Sequence, residues 1–321
     1  MKKLYLAVSI LPLFYCVTPV VAAETKASGF SGNIGMGLFM VNTADNLDPK
    51  GSEKRLTDLN GAADMETEVM PFVLPSMTYT FDGGTRVFFK GDPGNEEFGG
   101  FALSLGAALP VATLGIFEAA AIYSPFERAW QNPYALGVGR DSTSVAKVGA
   151  KIGFTAILGS PLGLSAVYMN DDTEDDLLAG LFPDLARDGE VFGITCGYTF
   201  LRAKTFDLRG ELSYLSGNYE GDSNSFQKGR MTVQGRYTID RLSFLPKITY
   251  SYTEYDKEDP VFAKTRETNG YGGTMMISYA APFGLEGWAA QGLVGYSRGD
   301  GSITFYDTEK LTTGLFMTYR F

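Results

Sequence analysis

The chain ends Leu311-Thr312-Thr313-Gly314-Leu315-Phe316-Met317-Thr318-Tyr319-Arg320-Phe321, and this stretch decides the fold. Leucine, threonine, methionine and aromatic residues at odd positions alternate with mostly small or polar residues at even positions. Because successive side chains of a β-strand point to opposite faces, the pattern predicts a strand with one apolar face. An apolar face that ends in two aromatic side chains is typical of a strand facing lipid.

The final residue carries a second signal. A chain-terminal Phe321 with Tyr319 two positions earlier resembles the signal by which outer-membrane barrels are recognised for assembly. A soluble β-sandwich could also end in a strand, but it has little reason to finish on an exposed aromatic side chain. The barrel-assembly machinery is therefore an expected partner.

The same alternation recurs upstream. It is clearest in residues 146–155, 206–214, 230–239 and 242–252, where apolar and polar side chains take turns. In a soluble protein the polar face would meet water outside; in an outer-membrane barrel the apolar face meets lipid and the polar face lines the lumen.

Connection lengths favour the barrel. Short links, such as Asp82-Gly83-Gly84 and Asp240-Arg241, alternate with long ones at 42–64, 125–143 and 170–187. Short periplasmic turns and longer extracellular loops are the asymmetry of bacterial barrels. The sequence predicts an all-β, antiparallel, up-and-down transmembrane barrel of about fourteen strands (12–16). Pro71 and Pro75 each remove a backbone donor, which predicts an irregular ladder in the second strand.

The first 23 residues predict export. Lys2 and Lys3 precede an apolar stretch from Leu4 to Val21, and the small residues Ala22 and Ala23 suit cleavage before Glu24. A membrane-anchor helix is the alternative, but the stretch is near the lower length limit and two prolines interrupt it. We expect a cleaved signal peptide at 1–23 and one barrel domain at 24–321 in the outer membrane of a Gram-negative cell.

Composition narrows the possible partners. The formal charge is −10, and removing Lys2 and Lys3 makes it −10 − 2 = −12, which argues against nucleic acid. Only Cys196 remains after the signal peptide, so an intrachain disulfide cannot form.

Several short motifs resemble one family. They are Ser28-Gly29-Phe30-Ser31-Gly32, the stretch from Pro71 to Tyr79, Trp130-Gln131-Asn132-Pro133-Tyr134, and the stretch from Leu158 to Leu164. Over essentially the whole mature chain the sequence resembles a proteobacterial outer-membrane group known as domain of unknown function 2860. The resemblance implies an outer-membrane barrel and no established activity or site residues.

The absence of histidine excludes much chemistry. Enzymatic barrels chiefly use a histidine as general base, and this chain contains none. A Ser–Lys pair would have to use Lys147 or Lys151, and a solvated lumen lysine is by far the simpler interpretation of both. The sequence therefore predicts no enzyme, no catalytic residues and no cofactor.

The cations on the polar face are more informative. The alternation points Arg209, Arg230, Arg236 and Lys247 into the lumen on neighbouring strands, with Lys147 and Lys151 on another wall. A basic wall in a narrow channel would attract anionic solutes. Alternatively, these cations form an internal network with Asp207 and Glu211 that fills the lumen.

An acidic run is a candidate metal site. The candidate ligands are Asp171, Asp172, Glu174, Asp175 and Asp176, on a predicted outer loop. Carboxylates there could hold calcium or bridge through divalent cations to lipopolysaccharide. A solvated acidic loop is the simpler interpretation, so we predict no metal.

Together these patterns predict a porin-like channel for passive passage or uptake of small solutes, anionic ones included. The alternative is a closed-lumen barrel that acts through its acidic outer loops. Outer-membrane lipid, lipopolysaccharide and a small-molecule solute are the expected partners.

Overall fold

The computed structural model describes residues 28–95 and 100–321, and within them the chain is one closed antiparallel barrel. The predicted signal peptide lies outside the described residues. The fourteen strands are β1 Gly29–Ala44, β2 Glu66–Thr80, β3 Arg86–Asn95, β4 Gly100–Val111, β5 Gly115–Trp130, β6 Ser142–Thr155, β7 Leu162–Thr173, β8 Gly189–Arg202, β9 Phe206–Tyr219, β10 Phe226–Ile239, β11 Leu242–Asp259, β12 Lys264–Ala280, β13 Trp288–Gly301 and β14 Thr308–Arg320.

Helical structure is confined to short pieces. One α-helix, α1 Leu177–Leu181, and the 3₁₀ turns Ile157–Gly159, Pro183–Leu185, Asp222–Asn224, Pro282–Gly284 and Thr304–Tyr306 lie between strands. In the described part of the chain no helix is both long and apolar enough to cross a bilayer.

Each strand pairs with its sequence neighbours, and β1 pairs with β14 to close the ring. The closure reaches the last residue, because Gly32 and Phe321 exchange backbone hydrogen bonds of 3.0 and 3.1 Å. A barrel without edges satisfies the backbone groups inside lipid, which an open sheet cannot do. The prediction of a fourteen-stranded barrel is confirmed.

The outward face is apolar. Leu38, Val294, Ile248, Leu212 and Leu315 are all exposed on strands whose alternate residues are buried or half-buried. Aromatic side chains near strand ends are typical of interfacial girdles, and most of those here are exposed, whereas Trp288 is half-buried. The exposed ones are Tyr168, Tyr198, Tyr214, Tyr237, Tyr252, Tyr279, Tyr296 and Tyr319. Cys196 is exposed on the same face.

The two ends of the barrel differ. The start of β1 and the end of β14 lie at the turn end of the barrel. The connections at that end are residues 81–85, 112–114, 156–161, 203–205, 240–241 and 281–287. At the loop end they include 45–65, 131–141, 174–188, 220–225, 260–263 and 302–307. In bacterial barrels the turns are periplasmic, so the loop end is the outer one.

Two predicted strand ends were wrong. β5 runs on to Trp130 through a bulge between Ser124 and Glu127, so Pro125 lies within a strand and the following loop shortens to 131–141. β7 continues to Thr173, so Asp171 and Asp172 are strand residues and not loop residues. A bulge accommodates the proline, and the alternation of β7 simply continues through its aspartates.

The predicted irregularity of β2 appears on one side only. The β1–β2 ladder is continuous from Gly29–Thr80 to Thr43–Glu66, but the β2–β3 ladder ends at Ser76–Lys90. Pro75 is the next residue on β2, and a proline cannot donate the hydrogen bond that would continue the ladder.

Candidate functional site: the lumen and its outer plug

Four predicted lumen cations lie on three adjacent strands. Arg209 is on β9, Arg230 and Arg236 are on β10, and Lys247 is on β11. Arg209 and Lys247 both pair across the ladder with Gln234 of β10, so the group is compact. Lys247 is buried and the three arginines are half-buried, on the face opposite the exposed apolar residues.

Carboxylates accompany two of these cations. The Arg209 Nη2 lies 2.9 Å from the Glu211 Oε1, and Arg236 forms an ion pair with Asp207 across the β9–β10 ladder. Both pairs are partly exposed, so their attraction is screened and each cation retains part of its field. The group therefore combines features of the two predicted alternatives, a basic wall and an internal network.

Lys147 and Lys151 stand apart from that group. They lie on β6, which β7 and β8 separate from β9. Lys147 is buried near Asp171, which accepts a 2.7 Å hydrogen bond from the Tyr219 hydroxyl. With Asp171 and Arg187, Lys147 lines a cavity of about 30 Å³, large enough for little more than a water molecule.

The remaining acidic candidates diverge. Asp172 and Glu174 are exposed, Asp175 accepts from Gln131, and Asp176 caps α1 and pairs with Arg187 at 2.7 Å. Over residues 28–95 and 100–321, no three carboxylate or thiol side chains come close enough to hold a metal.

The lumen also contains an apolar cluster that was not predicted from the sequence. Phe39 stacks on Phe72 with ring centroids 4.3 Å apart, and Phe316 meets Phe72 edge-on at 5.6 Å. Buried Met276 and Leu293 complete it, with Met70 and Leu245 packed against its rim. The alternation alone could have found it, since each of these residues falls on the inward parity of its strand.

Six outer loops, all within the residues that the structure describes, fold over the loop end of the barrel. We call this the outer plug; it comprises residues 45–65, 131–141, 174–188, 220–225, 260–263 and 302–307. Its apolar core contains Leu47, Tyr134, Leu178, Leu185 and Phe305. Tyr134 follows β5 and hydrogen bonds at 2.6 Å to Tyr306, which follows β13. Because β5 and β13 are six strands apart around the ring, this contact crosses the mouth.

Buried arginines connect the loops of the plug. Arg140 donates to the Asn46 carbonyl at 2.9 Å and to the Ser52 hydroxyl at 3.0 Å, and its guanidinium lies over the Trp130 ring. Arg187 donates to the Trp130 carbonyl at 2.6 Å. Each ties loops from different strands, so the plug depends on a few charged contacts.

Arg266 is a third buried arginine, as fully enclosed as Arg140. It rises from β12 with its guanidinium 3.7 Å from the Tyr255 ring centre and 4.3 Å from that of Tyr306. It also donates to Asn224 at 3.0 Å, and Tyr306 in turn donates to Asp259. A cation held between two aromatic faces joins the barrel wall to the loop 302–307.

Burial within the plug also shifts two pKa values. Burial, together with the nearby charge of Asp48, raises the pKa of Asp45 to about 7. Burial lowers the pKa of Arg140 to about 10. Asp45 therefore changes charge near neutral pH, at the point where β1 enters the plug.

A known protein family matches most of this chain. A family model described as protein of unknown function (DUF2860) matches residues 29–320. No curated protein matches the chain.

Among solved structures, the outer-membrane channel DcaP of Acinetobacter baumannii is 12% identical, with a TM-score of 0.45; the match covers 94% of this chain and 100% of that one. The COG4313 outer-membrane channel from Pseudomonas putida F1 is 11% identical, with a TM-score of 0.45 and the same coverages. A loop-deletion form of OmpT, an outer-membrane protein of Vibrio cholerae, is 11% identical with a TM-score of 0.43, covering 93% of this chain and 100% of that one.

Proposed function

Because this chain belongs to the family described as protein of unknown function (DUF2860), whose description assigns no activity, we propose a function from its own geometry. The barrel is a channel for passive passage of small solutes across the outer membrane, and the outer plug closes it. A basic wall formed by Arg209, Arg230, Arg236 and Lys247 favours anions.

The observation that carries this proposal is the small size of many inward residues. Glycines occupy inward positions at 193 and 197 on β8, 270 and 272 on β12, and 295 and 299 on β13. Eight-stranded barrels are filled by their side chains, whereas fourteen strands enclose a wider lumen. Neighbouring side chains pack against several of these glycines, such as Arg209 against Gly197 and Val167 against Gly193, so we infer that the opening lies in the remaining width of the lumen below the plug.

Charge supports the anion preference. The cations on β9–β11 outnumber Asp207 and Glu211, and charges in a low-dielectric channel act over longer distances than in bulk water. A passing anion would meet this wall whichever end it entered.

Selectivity in a planar bilayer tests the proposal. Under a salt gradient, the rare openings of the wild-type channel should favour chloride over potassium, and Arg230→Ala with Arg236→Ala should reduce that preference several-fold. Arg298→Ala is the matched control, because Arg298 is exposed and paired with Asp300 near the loop end. Unchanged selectivity in the double variant would contradict a role for the basic wall in anion preference.

A closed-lumen barrel acting through its outer surface is the second candidate. The ion pairs Arg209–Glu211 and Arg236–Asp207, together with the packed plug, favour it. It predicts no conductance from the wild type or from any folded variant with a loosened plug, so the same apparatus separates the two functions.

A further inference from the structure

The aromatic cluster in the lumen is the starting point. Phe39, Phe72 and Phe316 place apolar rings on the inward face, with Phe39 and Phe316 buried and Phe72 half-buried, where a channel for simple ions needs only polar side chains. Apolar surface with a few convergent polar groups is the usual composition of a small-molecule site.

A polar row borders the cluster on its loop-end side. Lys247 pairs with Thr274, Thr274 pairs with Gly295, and Gly295 pairs with Thr312 across four consecutive strands. Two residues along the same strands lie Leu245, Met276, Leu293 and Gly314, which belong to the apolar cluster or flank it. One ammonium and two hydroxyls therefore adjoin the apolar surface directly.

The two hydroxyls are unusual. The Oγ1 atoms of Thr274 and Thr312 are buried, and neither has a hydrogen-bond partner among the residues that the structure describes. Thr312 is completely buried. A buried hydroxyl without a partner is unfavourable, so each of these two groups calls for a partner such as a water molecule, an ion or a ligand.

Spacing and charge identify the group that suits them. Thr274 and Thr312 are two strand spacings apart, about 9.5 Å along the wall, and inward side chains converge in a closed barrel. A carboxylate with a hydrogen bond of about 2.7 Å on each oxygen spans roughly 7.5 Å, so it reaches both hydroxyls where these inward side chains converge to less than the strand spacing. The Lys247 ammonium at the end of the row supplies the opposite charge.

We propose that the lumen binds a small amphipathic carboxylate, with its apolar body against Phe39, Phe72 and Phe316 and its carboxylate at Thr274, Thr312 and Lys247. This inference rests on the proposed channel function and names the class of solute that the channel takes. An inorganic anion gains nothing from the aromatic rings, and an uncharged hydrocarbon leaves the polar row unmatched.

Equilibrium dialysis with the full mature barrel in detergent tests the site directly. The probe is 4-phenylbutyrate, and the neutral comparison is 4-phenylbutan-1-ol. We expect saturable binding of the acid and binding of the alcohol at least about tenfold weaker, since a charge-assisted hydrogen bond contributes about 1.5–3 kcal/mol. Equal binding of acid and alcohol would overturn the proposal.

Matched variants assign the binding to these residues. Thr274→Val with Thr312→Val keeps the shape of both side chains and should weaken binding of the acid about tenfold or more. Thr313→Val is the control, because Thr313 is the next residue on β14 and points to the other face. Lys247→Met should also weaken binding, whereas Lys257→Met, at an exposed lysine near the loop end, should not. Equal effects of the paired variants and their controls contradict the site.

Equilibrium dialysis tests the binding site, and conductance tests the channel function, so the two proposals can be contradicted separately. Specific binding without conductance would leave the site standing and remove the channel function. Conductance without specific binding of 4-phenylbutyrate would leave the channel standing and remove this solute class. The heat-dependent gel mobility of each variant shows that it has folded before it is scored.

Discussion

At the scale of single residues, the two most informative positions sit at opposite ends of the barrel. Phe321 ends the chain beside Gly32 at the turn end, where its backbone closes the ring. Asp45 begins the outer plug, where burial makes protonation favourable. Ring closure at Phe321 and the protonation of Asp45 both depend on tertiary contacts. Each can be tested by a separate measurement.

Replacing the terminal aromatic should impair assembly. Phe321 is exposed beside Tyr319, with ring centroids 6.4 Å apart, so Phe321→Ala removes an outward aromatic and little buried packing. We expect a several-fold lower yield of folded barrel in outer membranes, measured as the heat-modifiable band. Phe283→Ala, at a fully exposed turn aromatic, is the control. Equal yields from both variants would show that Phe321 carries no assembly signal.

The plug should be more stable at acidic pH than at alkaline pH. The pKa of Asp45 is raised from 3.8 to about 7, so its protonated form favours the closed plug. That stability is fully present below about pH 4 and is lost as pH rises through 7. Between pH 5.5 and 8.5 the opening free energy should fall by about 2 kcal/mol.

Hydrogen exchange in residues 45–51, corrected for its intrinsic pH dependence, measures that change. Asp48 adds to the negative charge at Asp45, whereas Lys310 and Arg140 oppose it. Asp45→Asn mimics the protonated form and should flatten the profile while leaving the contributions of these neighbours in place. A profile that Asp45→Asn leaves unchanged would assign the pH dependence to another group.

At the scale of elements, the sequence predicts strands better than it predicts loops. Alternation identified the number of strands and the inward parity of residues such as Arg236 and Lys247, because a strand's facing depends only on local period. It missed the end of β5, because a bulge lets Pro125 stay in the strand. It also missed the plug, whose contacts join residues as distant as Tyr134 and Tyr306.

The junction of β12 with the loop 302–307 should control the plug. Arg266→Met keeps much of the side-chain length but loses the cation between Tyr255 and Tyr306 and the hydrogen bond to Asn224. We expect the opening free energy of the plug to fall by about 2–4 kcal/mol while the barrel remains folded. Faster proteolysis within 302–307 and 131–141 measures the effect. Arg298→Met is the control, and equal cleavage rates in the two variants would contradict this role for Arg266.

At the scale of the whole molecule, the barrel combines a glycine-rich wall, a basic group beside an apolar cluster, and a folded outer plug. The lumen cluster could have been predicted from parity, since Phe39 and Phe316 fall on inward positions. The packing of Phe39 and Phe316 with Phe72 and Leu293 depends on the pairing of β1 with β14, and the sequence alone does not reveal which residues that pairing brings together. Ring closure also places the loops where they can meet across the mouth.

Conductance of a barrel with a loosened plug tests the central claim most directly. Arg140→Met together with Arg266→Met removes two buried arginines that tie the loops and leaves the lumen wall intact. In planar bilayers we predict rare or small openings from the wild type and steady, several-fold larger conductance from the double variant. A double variant that is folded and inserted but carries no current would contradict the account, because the lumen beneath the plug would then be closed.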